Sequence, residues 1–204
     1  MYEQAPQQHV VRLCVDERPC QLLDEVVQPL AMEEGKSKRV DSEYKRRGTC
    51  SLFLAYDLEK GQRFAQIRKH RGKADYAAFL DGVIRQHYPG KEKIVLVQDN
   101  LNTHRKGAFY EHLPLKRASQ LADLLEFHFT PKHGSWLNMV EIEFSALVRQ
   151  CLKRRIGSMA HLKKEVKAWV KQRNRNKIKI HWSFTVNEAQ EKLHSWYKKV
   201  NPKN

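Results

Sequence analysis

The run KIVLVQDN, Lys93–Asn100, constrains the fold more than any other stretch of this sequence. Ile94, Val95, Leu96 and Val97 are four consecutive aliphatic residues, so both faces of the strand they form must be covered. Such a strand belongs in the interior of a sheet, and Asp99 sits at its end. Ligands of open α/β sheets collect at that carboxyl edge.

The neighbouring segments fit a sheet around this strand. VVRLCV, Val10–Val15, reads as a buried strand ending at Asp16, and the polar stretch around EEGKSKRV reads as an exposed loop. TCSLFLAYDL and RFAQIRK flank Glu59–Gln62 and read as antiparallel strands joined by a hairpin turn. ADYAAFLDGVIRQHY carries Tyr76, Phe79, Leu80, Val83, Ile84 and His87 at helical spacing, and Pro89 with Gly90 ends it. KGAFYEHL reads as a helix, the stretch after it has no clear period, and LEFHFTP reads as a strand. A further helix opens near Asn138 and runs toward Arg155, where Gly157 and Ser158 break it. SMAHLKKEVKAWVKQRNRN forms a basic amphipathic helix, and Thr185 with Glu188 makes a capping box for a last helix ending near Tyr197. Three strands able to pair antiparallel, then strands alternating with helices, imply an α/β fold with a mixed sheet and helices on its faces. One domain over residues 1–204 is expected, its part from about 146 to 204 basic and helical.

With 204 residues, 41% hydrophobic and 30% charged, the chain can build a core and is too apolar for disorder. Its longest apolar run, Leu52–Tyr56, is too short for a membrane span. MYEQAPQQHVV lacks the pattern of a secretory signal, so a cytoplasmic location is expected. Cys14, Cys20, Cys50 and Cys151 form no CxxC pair and have no histidine partners at zinc-finger spacing, so they read as reduced, mostly buried thiols.

The formal net charge is +15, and it is concentrated. Twelve Lys or Arg stand against Glu165 alone between Arg149 and Lys179. Such a cluster is the footprint of a polyanion, most often nucleic acid, and the candidate contacts are Arg149, Lys153, Arg154, Arg155, Lys163, Lys164, Lys167, Lys171, Arg173 and Arg175. A solvated helix surface that only maintains solubility is the alternative.

If the strands ending at Asp16 and Asp99 lie side by side and parallel, both carboxylates emerge at one sheet edge. A glutamate from PKHGSWLNMVEIEFS would complete a hard, all-oxygen donor set suited to Mg²⁺ or Mn²⁺. Two such ions about 3.5–4 Å apart serve phosphodiester chemistry. Plainer readings exist: a strand-end Asp is often a turn former, and Glu141, three residues after a capping Asn138, can bond back to the cap. Helical angles do not choose between the glutamates, since Glu141 lies roughly 75° and Glu143 roughly 85° to opposite sides of the apolar stripe.

The segments CVDE, VQDNLNTH and FTPKHGSWLNMVEIEFSAL resemble the DDE transposases of the mariner superfamily, specifically its bacterial insertion-sequence branch. The resemblance runs from about Val10 into the basic helices. Members carry a DNxxxH strand end and an SPDLNPIE helix start; Ser135, Leu137, Asn138 and Glu141 fall on the second, with Met139 where a proline often stands. The resemblance implies an RNase H-like fold with a mixed five-stranded sheet, and a catalytic, metal-binding triad of Asp16, Asp99 and Glu141. Glu143 becomes a neighbour without metal contact. Asn100, His104 and Asn138 become supporting residues, although His104 reads equally well as a structural histidine. The implied cofactor is Mg²⁺ or Mn²⁺, as two ions. The implied activity is cut-and-paste transposition: cleavage at the transposon ends, then attack of the freed 3′-hydroxyl on target DNA, usually at a deformable TA step. The implied partners are transposon-end and target DNA and a second copy in a homodimer, in a bacterial, nucleoid-associated setting without membrane. The family's helix-turn-helix region is not found ahead of Asp16, so an isolated catalytic domain, a truncated copy or the product of a split or frameshifted reading frame is expected. A non-catalytic DNA-binding remnant that modulates the full-length enzyme, or another RNase H-like nuclease, are the competing readings.

Overall fold

A computed structural model of the chain describes residues 2, 5, 7–37 and 39–200. Five strands, β1 (Val10–Glu25), β2 (Tyr44–Asp57), β3 (Arg63–Arg68), β4 (Lys93–Gln98) and β5 (Leu125–Phe129), form one sheet in the order β3-β2-β1-β4-β5. The pairs β1/β2 and β2/β3 are antiparallel, while β1/β4 and β4/β5 are parallel. This is the mixed five-stranded sheet of an RNase H-like core, with helices on both faces.

The aliphatic run of β4 explains why both faces are covered. Ile94 and Leu96 join Leu13, Val15 and Phe53 under α1 (Lys73–His87), α2 (Gly107–His112) and α3 (Leu115–Leu124). Val97 points the other way, joining Cys14, Leu52, Leu54 and Tyr56 beneath α4 (Val140–Leu147) and α5 (Met159–Arg175). Alternation with period two thus feeds two separate apolar layers. A last helix, α6 (Val186–Val200), opens on the expected capping box: Glu188 N donates to Thr185 Oγ1 at 3.3 Å, and Thr185 N donates to the Glu188 carboxylate at 2.7 Å. All four cysteines are free and buried. No helix among the described residues is long and apolar enough to cross a membrane.

Three elements differ from the sequence reading or go beyond it. First, β1 does not end at Asp16. It continues nine residues further to Glu25, paired with β2 alone, whereas its parallel pairing with β4 stops at Cys14 opposite Val97. Buried Cys20 and Leu22 alternate with exposed Pro19 and Gln21 there, a half-buried pattern weaker than a continuous apolar run. Second, HLPLKRASQLADLLE contains α3, whose buried face is built from Ala118, Leu121 and Ala122; alanine carries little hydrophobic contrast, which hides the period. Third, α4 passes after Leu147 into a π-helical turn, Val148–Leu152, and does not reach Arg155. Just before Cys151 in that turn, the Gln150 Oε1 accepts from Trp169 Nε1 at 2.8 Å, tying the turn to α5.

Candidate active site

Where β4 stops, β1 continues, and this step in the sheet is where acidic side chains accumulate. Asp16 is buried at the step, with Oδ1 accepting from Glu17 N at 2.8 Å. Burial, followed by the nearby charge of Asp99 and then that of Glu141, pushes its carboxyl up to about 7. Glu141, on the first turn of α4, lies beside Asp16. Its own carboxyl lies above the ordinary glutamate value, mainly through burial, with Arg18 opposing.

Asp99 is ordered differently. Its Oδ1 lies 2.5 Å from Nδ1 of His104, whose Nε2 lies 2.8 Å from the Glu17 carboxylate. His104 is fully buried. Burial alone would lower it, but the carboxylates of Asp99 and Glu17 outweigh burial and raise it to about 9, so it is an imidazolium at neutral pH. The loop that carries it is clamped to β4: Gln98 Nε2 donates to His104 O at 3.0 Å, and Tyr76, packed on the imidazole at 4.7 Å, donates its hydroxyl to Gln98 Oε1 at 2.6 Å. Asn100 turns outward to Arg105, which donates to its Oδ1 at 2.5 Å.

Asn138 joins the helix to the strand. Fully buried, it donates Nδ2 to Val15 O at 3.0 Å, one residue before Asp16, and its Oδ1 accepts from Val140 N at 3.4 Å. The capping-box role expected of Glu141 is not realised. The Asn138 amide that such a glutamate would accept from already donates to Ser135 O at 2.8 Å, and Glu141 faces Asp16.

The two glutamates of α4 therefore part company. Glu143 is fully buried on the other side, accepting from Arg63 Nε and Nη2 at 2.6 and 2.7 Å and from Arg173 Nη2 and Nε at 2.9 and 3.1 Å. Burial pushes its carboxyl up, but the two guanidiniums prevail and hold it below the ordinary value. Asn174 brackets the Arg63 backbone, accepting from its N and donating to its O, both at 2.9 Å.

The basic surface is smaller than the sequence suggests. Arg173 is committed to Glu143, and Arg155 is committed to Glu25 and to the backbone carbonyls of Asp41, Ser42 and Glu43. Neither stands free for a polyanion, because acids and carbonyls remote in sequence have taken their forks. Arg154 pairs with Glu165 at the surface. Arg149, Lys153, Lys163, Lys164, Lys167, Lys171 and Arg175 remain exposed.

Sequence reasoning missed Glu17, Arg18 and Arg63. Strand alternation carried a signal for the first: Glu17 must face away from Asp16, toward the layer that holds Tyr76 and His104. Nothing local marked Arg63, which meets Glu143 across 80 residues.

As their side chains lie, no group of three or more His, Cys, Asp or Glu among the described residues is arranged to hold a metal ion. The donor chemistry fits one nevertheless. Asp16 is buried with the charges of Asp99 and Glu141 nearby, and an all-oxygen set of carboxylates is what a hard divalent cation takes.

A family model described as DDE superfamily endonuclease matches residues 11–163. Among solved structures the chain is similar to the Mos1 mariner paired end complex with Mn, at a TM-score of 0.55 and 15% identity, covering 83% of this chain and 50% of that one. It is also similar to the Mos1 Strand Transfer Complex, at 0.53 and 15%, covering 80% and 47%. A third, the Mos1 transposase paired-end complex with left transposon end, gives 0.53 and 14%, covering 80% and 48%. The chain spans about half the length of these structures, and at such identities the likeness is one of fold. A search of curated proteins returned no match.

Proposed function

For a chain that belongs to the DDE superfamily endonuclease family, we propose the role of a transposase catalytic domain, which cuts DNA phosphodiesters and joins the freed ends to target DNA. The observation that carries this reading is the sheet-edge cluster of Asp16, Asp99 and Glu141, in which burial and mutual charge raise Asp16 to about 7. Its support from similar structures is that the Mos1 complexes are, by description, a paired end complex with Mn and a strand transfer complex.

In this reading Asp16, Asp99 and Glu141 are the catalytic acids and hold Mg²⁺ or Mn²⁺. When bound, the ions supply the Lewis acid that activates the attacking oxygen and neutralises the leaving one. The remaining work belongs to the chain. His104 fixes the Asp99 carboxylate at the end of β4 and is itself fixed by Glu17. Such outer partners of a ligand commonly contribute about 10–100-fold in metal affinity or activity. Asn138 sets the start of α4 against β1, which holds Glu141 opposite Asp16. The exposed Arg149, Lys153, Lys163, Lys164, Lys167, Lys171 and Arg175 gather the phosphate backbone without sequence preference. Cut-and-paste transposition, a TA-containing target, a homodimer and a place in the bacterial insertion-sequence branch belong to the same proposal.

The test is cleavage of an end-labelled DNA duplex with Mg²⁺ or Mn²⁺. Cleavage should need the ion and should be lost in Asp16→Asn, Asp99→Asn and Glu141→Gln, but kept in the surface variant Glu126→Gln. Cleavage that persists in all three acid variants would refute the assignment.

A further inference from the structure

Two residues beyond Asp16, on the stretch of β1 that outruns β4, stands Arg18. Strand alternation turns it to the same face as Asp16, toward α4. Its guanidinium lies over the Phe144 ring, 6.0 Å from the centroid, and Phe144 is one helical turn after Glu141. The position is therefore set by packing, and the charge is felt at the site, since Arg18 draws the Glu141 carboxyl downward against burial. Yet Nε of Arg18 is buried and has no hydrogen-bond partner among the described residues. A buried donor left unmatched is destabilising, so one in a folded protein calls for an explanation.

Arg68 also has a buried, unmatched Nε, but its terminal nitrogens reach Gln66 Oε1 at 2.8 Å and Asp75 Oδ1 at 3.9 Å. Arg63 and Arg173 saturate Glu143, and Arg155 is held by Glu25 and three carbonyls. Arg18 instead lines a cavity of about 200 Å³ between β1, the π-helical turn and α5, whose floor includes Leu22 and Leu162 and whose other cation is Arg154. A guanidinium near Glu141 whose Nε bonds to no carboxylate is not spent on the acids alone. Its planar fork matches a phosphate oxygen pair.

We infer that Arg18 is a phosphate-binding residue, receiving a phosphodiester of the nucleic-acid backbone next to Asp16 and Glu141. The inference rests on the phosphodiester reading of the site and adds a positioning residue to it: Arg18 holds the strand against the acids and does not itself take part in bond breaking. Its anchoring on Phe144, at the first turns of the helix that carries Glu141, makes substrate position and acid position move together.

The test reads binding and so does not depend on cleavage. The ¹⁵N–¹H signal of the Arg18 side-chain Nε, assigned by its loss in Arg18→Lys, is followed while a short DNA duplex is added to wild-type protein and to Asp99→Asn. The signal should shift in both. A duplex of the same sequence with a neutral methylphosphonate backbone should leave it unmoved. Arg18→Gln should lower the slope of log affinity against log salt by roughly 1, the loss of one phosphate contact, and Arg18→Lys should restore most of that slope. An Nε signal that stays fixed while the duplex binds would overturn the inference, as would an unchanged salt slope in Arg18→Gln. A shift caused by inorganic phosphate but not by the duplex would also overturn it, by assigning a free-anion site. Failure of the catalytic reading shows separately, as cleavage that survives the acid variants.

Discussion

Removing Glu143 should unfold the protein more readily, while removing Glu141 should not, although the two stand two residues apart. Glu143 and Arg63 are both wholly buried, and Arg173 is 11% exposed at its side chain. In Glu143→Ala, Arg173 can turn outward to water. Arg63 cannot, and keeps only the Gly61 carbonyl and the Tyr56 ring, 5.0 Å away, as company for its charge. Breaking a buried pair in this way is destabilising by about 3–5 kcal/mol. For a chain of this size each kcal/mol moves the melting temperature by roughly 2–4 °C, so a fall on the order of 6–20 °C is expected. The double variant Glu143→Ala/Arg63→Met removes the stranded charge and should recover much of the loss. Glu141→Gln takes away a half-exposed carboxyl already pushed above its ordinary value, and should melt at or above the wild-type temperature at pH 8. Thermal unfolding followed by circular dichroism, with urea unfolding as a check, decides the matter. A drop below about 2 °C for Glu143→Ala, or an equal drop for both variants, would refute the reasoning.

Two further outcomes follow from the same electrostatics. Asp16 has its folded value raised from 3.8 to about 7, so its stabilising contribution is complete below pH 4 and is lost as pH rises through 7. At 1.36 kcal/mol per pH unit this is on the order of 4 kcal/mol without metal; melting temperature should fall between pH 5 and 8, and Asp16→Asn should flatten that fall. On the basic face, changing Lys163, Lys167 and Lys171 together to Ala should weaken DNA binding alike for all sequences and reduce the salt slope by roughly 2–3, measured by fluorescence anisotropy.

How much of this the amino-acid order discloses depends on the range of the interaction. The β4 strand, the β2–β3 hairpin and the capping box of α6 were legible because each is set by a pattern within about ten residues. The second half of β1 was not, since one-sided pairing with β2 leaves only a weak alternation across Cys20 and Leu22. Charge partnerships were the least legible. Helical angles left Glu141 and Glu143 equivalent, and the difference between them lies in Arg63, 80 residues away. Arg155 looked like part of a free basic run, yet its carbonyl partners at Asp41, Ser42 and Glu43 lie more than 110 residues back along the chain. Asp16 and Asp99 were identifiable as strand-linked acids, but their asymmetry, one beside Glu141 and the other against an imidazolium, required the fold.

The most direct test of a cation site shared by Asp16, Asp99 and Glu141 is a crystal of the protein soaked in Mn²⁺, with diffraction recorded at the manganese absorption edge. Anomalous density is expected within about 2.0–2.3 Å of oxygens from Asp16 and Asp99, with Glu141 turned from Asp16 toward the ion. Manganese bound elsewhere, with Asp16 still on Glu141 and Asp99 still on His104, would contradict it.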